Sequence, residues 1–169
     1  MSQTGETIRG LYGAFAQALG PSRWWPGETP FEIAVGAILT QNTNWKNVER
    51  AIAGLKAAGA LTEAGMHVLN PARLEELIRP AGYFRVKAAR LRSLLDFLDR
   101  EAEMDITNLV GRSLDDLRPL LLAVRGIGPE TADSILCYAL NLPVLVVDSY
   151  TVRMISFCTP NTRRSSCAQ

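Results

Sequence analysis

Hydrophobic residues recur along this chain at the three- and four-residue spacing of amphipathic helices. The clearest such segments span residues 5–19, 44–57, 71–78, 84–101 and 113–121. Segment 31–39 is apolar on nearly all sides, which is typical of a helix inside a core. In segment 84–101 the residues predicted to face inward are Val86, Ala89, Leu91, Leu94, Leu95 and Leu98. The pattern predicts an all-α bundle of short helices.

Glycine, proline and small polar residues mark the predicted helix ends. Gly20-Pro21 ends the first helix, and Asn70-Pro71 supplies an N-cap and a first-turn proline for another. Gly82 interrupts the chain before the longest helix. Ser113, followed by Asp116, resembles a capping box.

Residues 144–147 form a β-branched, apolar run, V-L-V-V, that is compatible with a strand. A strand needs a partner with which to pair its backbone, and no other segment of the sequence has a strand pattern. We therefore expect this run to be a buried connection between helices.

A glycine hairpin lies between two predicted helices, at Gly126, Ile127 and Gly128. Glycines permit a positive φ and the close approach of a foreign backbone, while the isoleucine can anchor the turn inward. Because the next helix, residues 129–140, begins with proline, the free amides of the turn lie at a helix N-terminus, where a phosphate is favoured. Asp148 follows twenty residues after Gly128. The combination points to DNA.

This segment resembles the helix-hairpin-helix (HhH-GPD) superfamily of DNA glycosylases, whose best known branch is endonuclease III. The matching residues are Gly126, Gly128, Thr131, Ala132, Val147 and Asp148. The resemblance reaches back to about Trp24 and implies an endonuclease III-like fold. It implies a helical barrel-like domain at residues 28–141, with the helix-hairpin-helix motif at about 113–141, and a second lobe from residues 1–27 and 142–169. The implied phosphate-binding hairpin comprises Arg125, Gly126, Ile127, Gly128, Glu130 and Thr131.

Glu130 is the departure that decides which chemistry the resemblance implies. In the lyase branch a lysine precedes the Thr-Ala pair and forms a Schiff base with the sugar. A carboxylate cannot form an imine, so lyase activity is not expected here. The resemblance then implies a monofunctional glycosylase in which Asp148 is the catalytic carboxylate that stabilises the oxocarbenium-like charge. Asp148 also fits as the N-cap of a helix over residues 149–157, and both roles can coexist.

A second group of residues resembles the 3-methyladenine branch of the same superfamily. The sequence Trp24-Trp25-Pro26 precedes one helix, and Gln41-Asn42-Thr43-Asn44-Trp45 leads into the next. The resemblance implies a base pocket formed by Trp24, Trp25, Pro26 and Trp45. Electron-rich rings attract the positive charge of an alkylated purine. Packing of the tryptophans in an ordinary core is the alternative.

Gln41 has a separate implied role, as the side chain that enters the duplex when the target nucleotide rotates out. Rotation costs a few kcal/mol of stacking and pairing, and such a DNA wedge offsets part of that cost. The alternative is a glutamine that merely lies near the start of the following helix.

Charge limits how DNA can be bound, because the formal net charge is only +1. Basic residues must therefore cluster locally, or the hairpin amides must make most phosphate contacts. The candidate cluster is Arg85, Lys87, Arg90 and Arg92. A solvated, charged helix face is an equally good explanation of these four residues.

Composition and cysteine count set the remaining expectations. The chain is 47% hydrophobic, no apolar run approaches the ~20 residues of a membrane-spanning helix, and its start lacks the order of a signal peptide. We therefore expect a cytoplasmic, nucleoid-associated monomer. Endonuclease III holds a [4Fe–4S] cluster through four cysteines, whereas this chain has only three, at Cys137, Cys158 and Cys167. No metal or other cofactor is expected.

The resemblance implies further helices after Phe157, whereas residues 158–169 are polar and lack helical periodicity. We expect the C-terminal part to be truncated and this tail to be disordered. A shortened chain, a frameshift and a divergent terminus are alternative explanations.

Three functional hypotheses follow, and damaged double-stranded DNA is the partner in the first two. The leading one is a base excision repair glycosylase that removes alkylated purines such as 3-methyladenine. The second is an endonuclease III-like glycosylase and lyase that acts on oxidised pyrimidines. The third, from another class, is a noncatalytic helix-hairpin-helix protein that binds DNA.

Overall fold

The computed structural model describes residues 3–20 and 25–158, and within them the regular structure is helical, with no β-strand. The α-helices are α1 (Gln3–Leu19), α2 (Pro30–Leu39), α3 (Trp45–Ala57), α4 (Glu63–His67), α5 (Pro71–Leu77), α6 (Phe84–Ala102), α7 (Leu114–Ala123), α8 (Pro129–Ser134) and α9 (Ser149–Cys158). Short 3-10 turns cover Arg79–Ala81 and Ile106–Leu109, and a π-helical turn, Ile135–Ala139, continues α8. The all-α prediction is confirmed. In the described ranges, no helix combines the length and apolarity needed to span a membrane.

The chain divides into two compact units. Residues 25–146 form the larger unit, which contains a continuous hydrophobic core. The two ends of the chain form the smaller unit, of which residues 3–20 and 147–158 are described. Trp24 and nearly all of the tail predicted to be disordered lie outside the described residues.

Helix α2 is the centre of the larger unit, because it contacts α3, α6, α8 and the π-helical turn. Phe31 is 3% exposed, and Ile38 and Leu39 are fully buried. The predicted core helix is confirmed. The chain leaves α2 through the turn that carries Gln41, so the core fixes the start of that turn.

Polar side chains cap the helices where the sequence indicates. Asn44, Asn70 and Ser113 are the N-caps of α3, α5 and α7. Each side-chain oxygen accepts a hydrogen bond from the backbone N–H three residues later, at 3.1, 2.8 and 3.1 Å respectively. Such a cap stabilises a helix by about 1 kcal/mol, which helps to fix these helix starts.

The buried face of α6 differs from the predicted one at two positions. Val86 is 49% exposed and Ala89 is exposed, so their inward prediction was wrong. The buried positions nearest to Leu91 in the preceding turn are Lys87 and Ala88. A period of 3.6 residues places positions 87 and 88, rather than 86 and 89, on the face of residue 91. The apolar spacing therefore predicted the helix but not the lysine on its buried side.

Residues 144–147 form a connection without strand pairing, as predicted. Their predicted burial was wrong, however, because Leu145 and Val147 are 55% and 49% exposed. Val144 and Val146 are half-buried. The alternation is typical of an extended backbone, which turns successive side chains to opposite sides.

Candidate functional site

The loop between α7 and α8 forms the predicted glycine hairpin. Gly126 has a φ of 90°, a left-handed conformation that favours glycine, and Ile127 is 4% exposed, so it anchors the turn. Gly128 has an ordinary φ of −92°, and a Cβ added there would have no atom within 4 Å. The fold therefore does not itself require glycine at this position. The open space leaves the Gly128 backbone accessible to an incoming molecule.

A two-point ion pair joins the helices on either side of the hairpin. The Arg118 guanidinium on α7 donates from Nε to Asp133 Oδ1 at 2.8 Å and from a terminal nitrogen to Oδ2 at 3.2 Å. Asp133, on α8, is 6% exposed, so the pair is partly shielded from water. Two parallel hydrogen bonds define orientation as well as distance. The pair therefore helps to fix the angle at which the hairpin is presented.

Gln41 is bound through both ends of its amide. Its Nε2 donates to the carbonyl oxygen of Gly126 at 3.2 Å and to the Thr131 hydroxyl at 2.8 Å. Its Oε1 accepts a hydrogen bond from the Arg90 guanidinium. Because Asn44 caps α3, Gln41 is not needed at that helix start. We call Gln41, Arg90, Gly126 and Thr131 the hairpin junction.

The other hairpin residues differ in exposure. Arg125 and Glu130 are exposed at the surface, whereas Thr131 is 7% exposed and faces Gln41. The hairpin thus exposes a basic residue, Arg125, and an acidic residue, Glu130, to solvent on either side of Gly128. The buried Thr131 connects it to the turn after α2.

Trp25, Trp45 and Tyr138 form an aromatic cluster in the larger unit. Trp25 stacks on Tyr138 with a ring-centroid distance of 5.0 Å and an interplanar angle of 22°. Trp25 also meets Trp45 edge to face, at 5.6 Å and 73°. Both arrangements are favourable for aromatic pairs. The structure therefore brings together two of the three predicted pocket tryptophans, while Pro26 is exposed nearby.

Tyr138 was not predicted from the sequence. It lies in the π-helical turn, and such turns often occur at functional sites. The sequence contained one indication, since Tyr138 follows Thr131 by two helical turns and residues so spaced share a helix face. Tyr138 connects the second helix of the hairpin motif to the aromatic cluster.

A small cleft lies beside the cluster and is lined by Trp25, Pro26, Glu32, Gly36, Trp45 and Glu49, among others. Its volume is about 80 Å³, whereas sites for small molecules commonly have ~300–1,000 Å³. Because Trp25 and Trp45 touch, a base cannot lie between them in this arrangement. A base must stack on an outer ring face or part the two rings. Glu32 is buried and paired with Lys56 at 3.1 Å, so its charge is compensated.

The four residues of the predicted basic cluster do not all offer charge to a ligand. Lys87 is fully buried, and its ammonium donates to the carbonyl oxygens of Leu39 at 2.9 Å and Ala81 at 2.7 Å. Burial, followed by the charge of Arg90, lowers the pKa of Lys87. Two carbonyls hold the ammonium inside the core, so for Lys87 both interpretations of the candidate cluster, a DNA contact and a solvated helix face, were wrong.

The arginines of that cluster have different surroundings. Arg92 donates to the carbonyl oxygens of His67 and Leu69, which commits it to the backbone at the C-terminal end of α4. The side chain of Arg85 is 81% exposed, and its Nε lies 3.8 Å from Glu75. Of the three arginines in that cluster, Arg90 is the one whose side chain lies against Gly126 of the hairpin.

Asp148 belongs to the smaller unit and caps α9. Its Oδ1 accepts from the Thr151 backbone N–H and hydroxyl, each at 2.7 Å. Partial burial raises the pKa of Asp148, but hydrogen bonds from Thr151 and from the amides of Asp148 and Tyr150 outweigh it, so the pKa is lowered overall. The carboxylate therefore stays ionised at neutral pH, which both the capping and the catalytic role require.

An iron–sulfur cluster of the endonuclease III type needs four thiolates, and this sequence has three cysteines. Among the described residues, no group of three or more His, Cys, Asp or Glu side chains is placed to hold a metal ion. Cys137 is a half-buried free thiol, and burial raises its pKa. The expectation of no cofactor stays a prediction, since Cys167 lies outside the described residues.

Comparisons of this chain with known proteins agree on one family. Residues 35–165 match the HhH-GPD superfamily of base excision DNA repair proteins. A protein of Methanocaldococcus jannaschii assigned to the DNA repair glycosylases is 45% identical over 158 residues, which are 89% of this chain and 69% of the relative. Endonuclease III of Thermotoga maritima is 29% identical over 125 residues, 74% of this chain and 54% of that protein.

Two solved structures have the same fold. One is an H. pylori 3-methyladenine DNA glycosylase bound to 1,N6-ethenoadenine, with a TM-score of 0.76, 30% identity, and coverage of 92% of this chain and 73% of the other. The other is a non-covalent complex of endonuclease III with DNA, with a TM-score of 0.71, 22% identity, and coverage of 91% and 68%. The endonuclease III-like fold predicted from the sequence is confirmed.

Proposed function

The chain belongs to the HhH-GPD superfamily of base excision DNA repair proteins, and we propose that it is a monofunctional DNA glycosylase that removes alkylated purines such as 3-methyladenine from duplex DNA. The observation that carries the proposal is Glu130, which stands exposed on the hairpin where the lyase branch has its Schiff-base lysine. A carboxylate cannot attack the sugar to form an imine, so water must complete the reaction.

In the proposed reaction the N-glycosidic bond breaks and its electron pair leaves with the base. Departure neutralises the positive charge of the alkylated purine, so the base leaves readily without a strong acid. The ionised Asp148 stabilises the positive charge that develops on the sugar. Water adds to C1′ and transfers a proton to Asp148, from which it passes to solvent.

The aromatic cluster supports the choice of base. Aromatic faces attract a cation by roughly 0.5–2 kcal/mol per good contact, so an alkylated purine is favoured over its neutral parent. Trp25 stacks on Tyr138 and meets Trp45 edge to face, and we expect Pro26 to contribute to the same pocket. The 30% identity with the 3-methyladenine glycosylase also supports this substrate class.

DNA is held, in this proposal, by the hairpin amides around Gly128, and Gln41 is the wedge that enters the duplex. The open space at the Gly128 Cβ position supports close approach of a phosphate. Gln41 lies beside the hairpin, so a duplex held there would present its base stack to this side chain.

The test is release of free 3-methyladenine from a methylated duplex, compared between the wild type and Asp148→Asn. Asparagine caps a helix as well as aspartate does, so α9 is preserved while the negative charge is lost. We expect the variant to lose at least about a hundredfold in rate, the usual order for a removed electrostatic stabiliser. Because the pKa of Asp148 is lowered, wild-type release should decline with acid only at a midpoint below the ordinary pKa of an aspartate.

The other outcomes separate the competing hypotheses. A covalent adduct trapped by borohydride on abasic DNA would identify a lyase, which release of base from a thymine-glycol duplex would support. Salt-sensitive binding without release from either duplex would indicate a noncatalytic DNA-binding protein. Equal release by wild type and Asp148→Asn would exclude Asp148 as the catalytic carboxylate.

A further inference from the structure

Arg90 occupies an unusual place in the hairpin junction. Its side chain crosses Gly126 so closely that a Cβ at that position would lie 2.9 Å from both Cδ and Nε of Arg90. The same guanidinium donates to Gln41 Oε1. Arg90 thus touches both the turn that would bind a phosphate and the side chain that would enter DNA, although it is 36 and 49 residues from them in sequence (126 − 90 and 90 − 41).

The electrostatic surroundings of Arg90 leave its charge uncompensated. Its described hydrogen-bond partner is a neutral amide, and no carboxylate of residues 25–146 forms an ion pair with it. The Lys87 ammonium is close enough for the charge of Arg90 to help lower the pKa of Lys87. A half-buried guanidinium next to a like charge favours an anionic ligand.

We propose that Arg90 couples phosphate binding to the release of Gln41: its guanidinium holds the Gln41 amide against the hairpin in the free protein and transfers to a DNA phosphate when the duplex binds. This inference rests on the proposed roles of the hairpin and of Gln41 in DNA binding. Arg90 is a positioning residue in this scheme, because it acts on the damaged nucleotide through Gln41. A phosphate is the better partner, since a charge-assisted bond to an anion is stronger than one to an amide.

The first test measures affinity for a short undamaged duplex over a series of salt concentrations. Arg90→Met is compared with Arg100→Met, which removes the same charge from an exposed position near the other end of the same helix. We expect Arg90→Met to weaken binding about tenfold and to reduce the salt slope by about one, as for the loss of one phosphate contact. Arg100→Met should change affinity by less than about threefold. An unchanged slope in Arg90→Met would overturn the proposal.

A double-mutant cycle tests the transfer itself, because a bond made equally in the free and bound states cancels from the binding free energy. In the wild type, Arg90 must leave Gln41 to reach the phosphate, whereas in Gln41→Ala it has no such bond to lose. We therefore expect Arg90→Met to cost about fivefold more affinity in the Gln41→Ala background than in the wild type. Equal costs in the two backgrounds would show that the bond does not change on binding.

A third comparison leaves Arg90 in place and so does not depend on the folding of Arg90→Met. Gln41→Glu offers Arg90 a carboxylate that competes with phosphate, and Asn42→Asp adds the same charge one residue away. We expect Gln41→Glu to bind the duplex about tenfold more weakly than Asn42→Asp. Equal affinities would overturn the proposal. All three readouts measure binding to undamaged DNA, so a failure of base release would remove the proposed glycosylase activity without deciding the role of Arg90.

Discussion

The hairpin junction and the aromatic cluster lie in the same unit but are held by different forces. Hydrogen bonds between Gln41 and three partners connect the junction, whereas the cluster is held by ring contacts. Hydrogen bonds impose direction and distance, while aromatic pairs remain favourable over a range of angles and separations. The junction therefore has one defined arrangement in the free protein, from which the proposed transfer of Arg90 releases Gln41, whereas the cluster can adjust as a base enters. Under the proposed function, recognition of the DNA backbone therefore starts from a pre-organised hairpin, and recognition of the base is adaptable.

We expect the largest effect on stability at Lys87, whose ammonium binds the carbonyl oxygen of Leu39 at the end of the helix that leads to Gln41. Replacing Lys87 by methionine keeps a long side chain but removes both donors, which leaves the carbonyls of Leu39 and Ala81 unpaired in the core. An unpaired buried polar group costs about 1–3 kcal/mol, and relief from burying the ammonium offsets part of the two costs. We expect Lys87→Met to lower the free energy of unfolding by about 3 kcal/mol in urea denaturation.

The matched control is Lys46→Met, which removes a lysine from an exposed position on α3. A surface substitution of this kind changes stability by about 0.5 kcal/mol or less. If Lys87→Met were as stable as the wild type, apolar packing would outweigh the two hydrogen bonds and the junction would not depend on them.

The sequence predicted those parts of the fold that local patterns determine. Helix starts follow from caps such as Asn70 and Ser113, whose bonds reach only three residues ahead. The hairpin turn follows from Gly126 and Ile127, where backbone conformation and burial depend mainly on neighbouring residues. Such features can be inferred without knowing what lies across the core.

Contacts between segments that are distant in sequence could not be predicted from such local patterns. Gln41 meets Thr131 across 90 residues, and Lys87 reaches Leu39 across 48. Whether a lysine is solvated or buried depends on carbonyls that only the folded chain brings near it. The position of Tyr138 depends in addition on a π-helical turn, which changes the helical register without a recognisable sequence pattern.

Substitution of the two hairpin glycines should have an effect on stability of intermediate size. The structure of the junction requires glycine at position 126 but not at position 128. An alanine at Gly126 would meet the Arg90 side chain and adopt a left-handed φ, whereas an alanine at Gly128 would meet nothing. We expect Gly126→Ala to destabilise the fold by about 2 kcal/mol and Gly128→Ala by less than about 0.5 kcal/mol. Thermal unfolding with a van't Hoff analysis measures both.

DNA binding should reveal a separate requirement for glycine at position 128. The methyl group of Gly128→Ala would occupy space that we assign to an approaching phosphate, so affinity for duplex DNA should fall about tenfold while the fold stays intact. Wild-type affinity in Gly128→Ala would move the phosphate contact away from this backbone. Equal destabilisation by the two alanines would contradict the different requirements that the structure indicates.

A smaller loss of stability than in Lys87→Met or Gly126→Ala is expected in the aromatic cluster. Tyr138→Leu keeps an apolar side chain but removes the ring that stacks on Trp25, and such pairs contribute about 0.5–1.5 kcal/mol beyond burial. We expect a loss of about 1 kcal/mol in urea denaturation and unchanged affinity for undamaged duplex. Release of 3-methyladenine should slow severalfold, because Trp25 is no longer held in place to stack on the base.

Tyr138→Phe is the matched control, since it retains the ring and therefore the stack on Trp25. We expect it to release base at nearly the wild-type rate. If phenylalanine slowed release as much as leucine did, the hydroxyl group rather than stacking would be the contribution of Tyr138. If both variants instead weakened binding to undamaged duplex, the aromatic cluster would take part in backbone recognition. The separation between a pre-organised junction and an adaptable cluster would then fail.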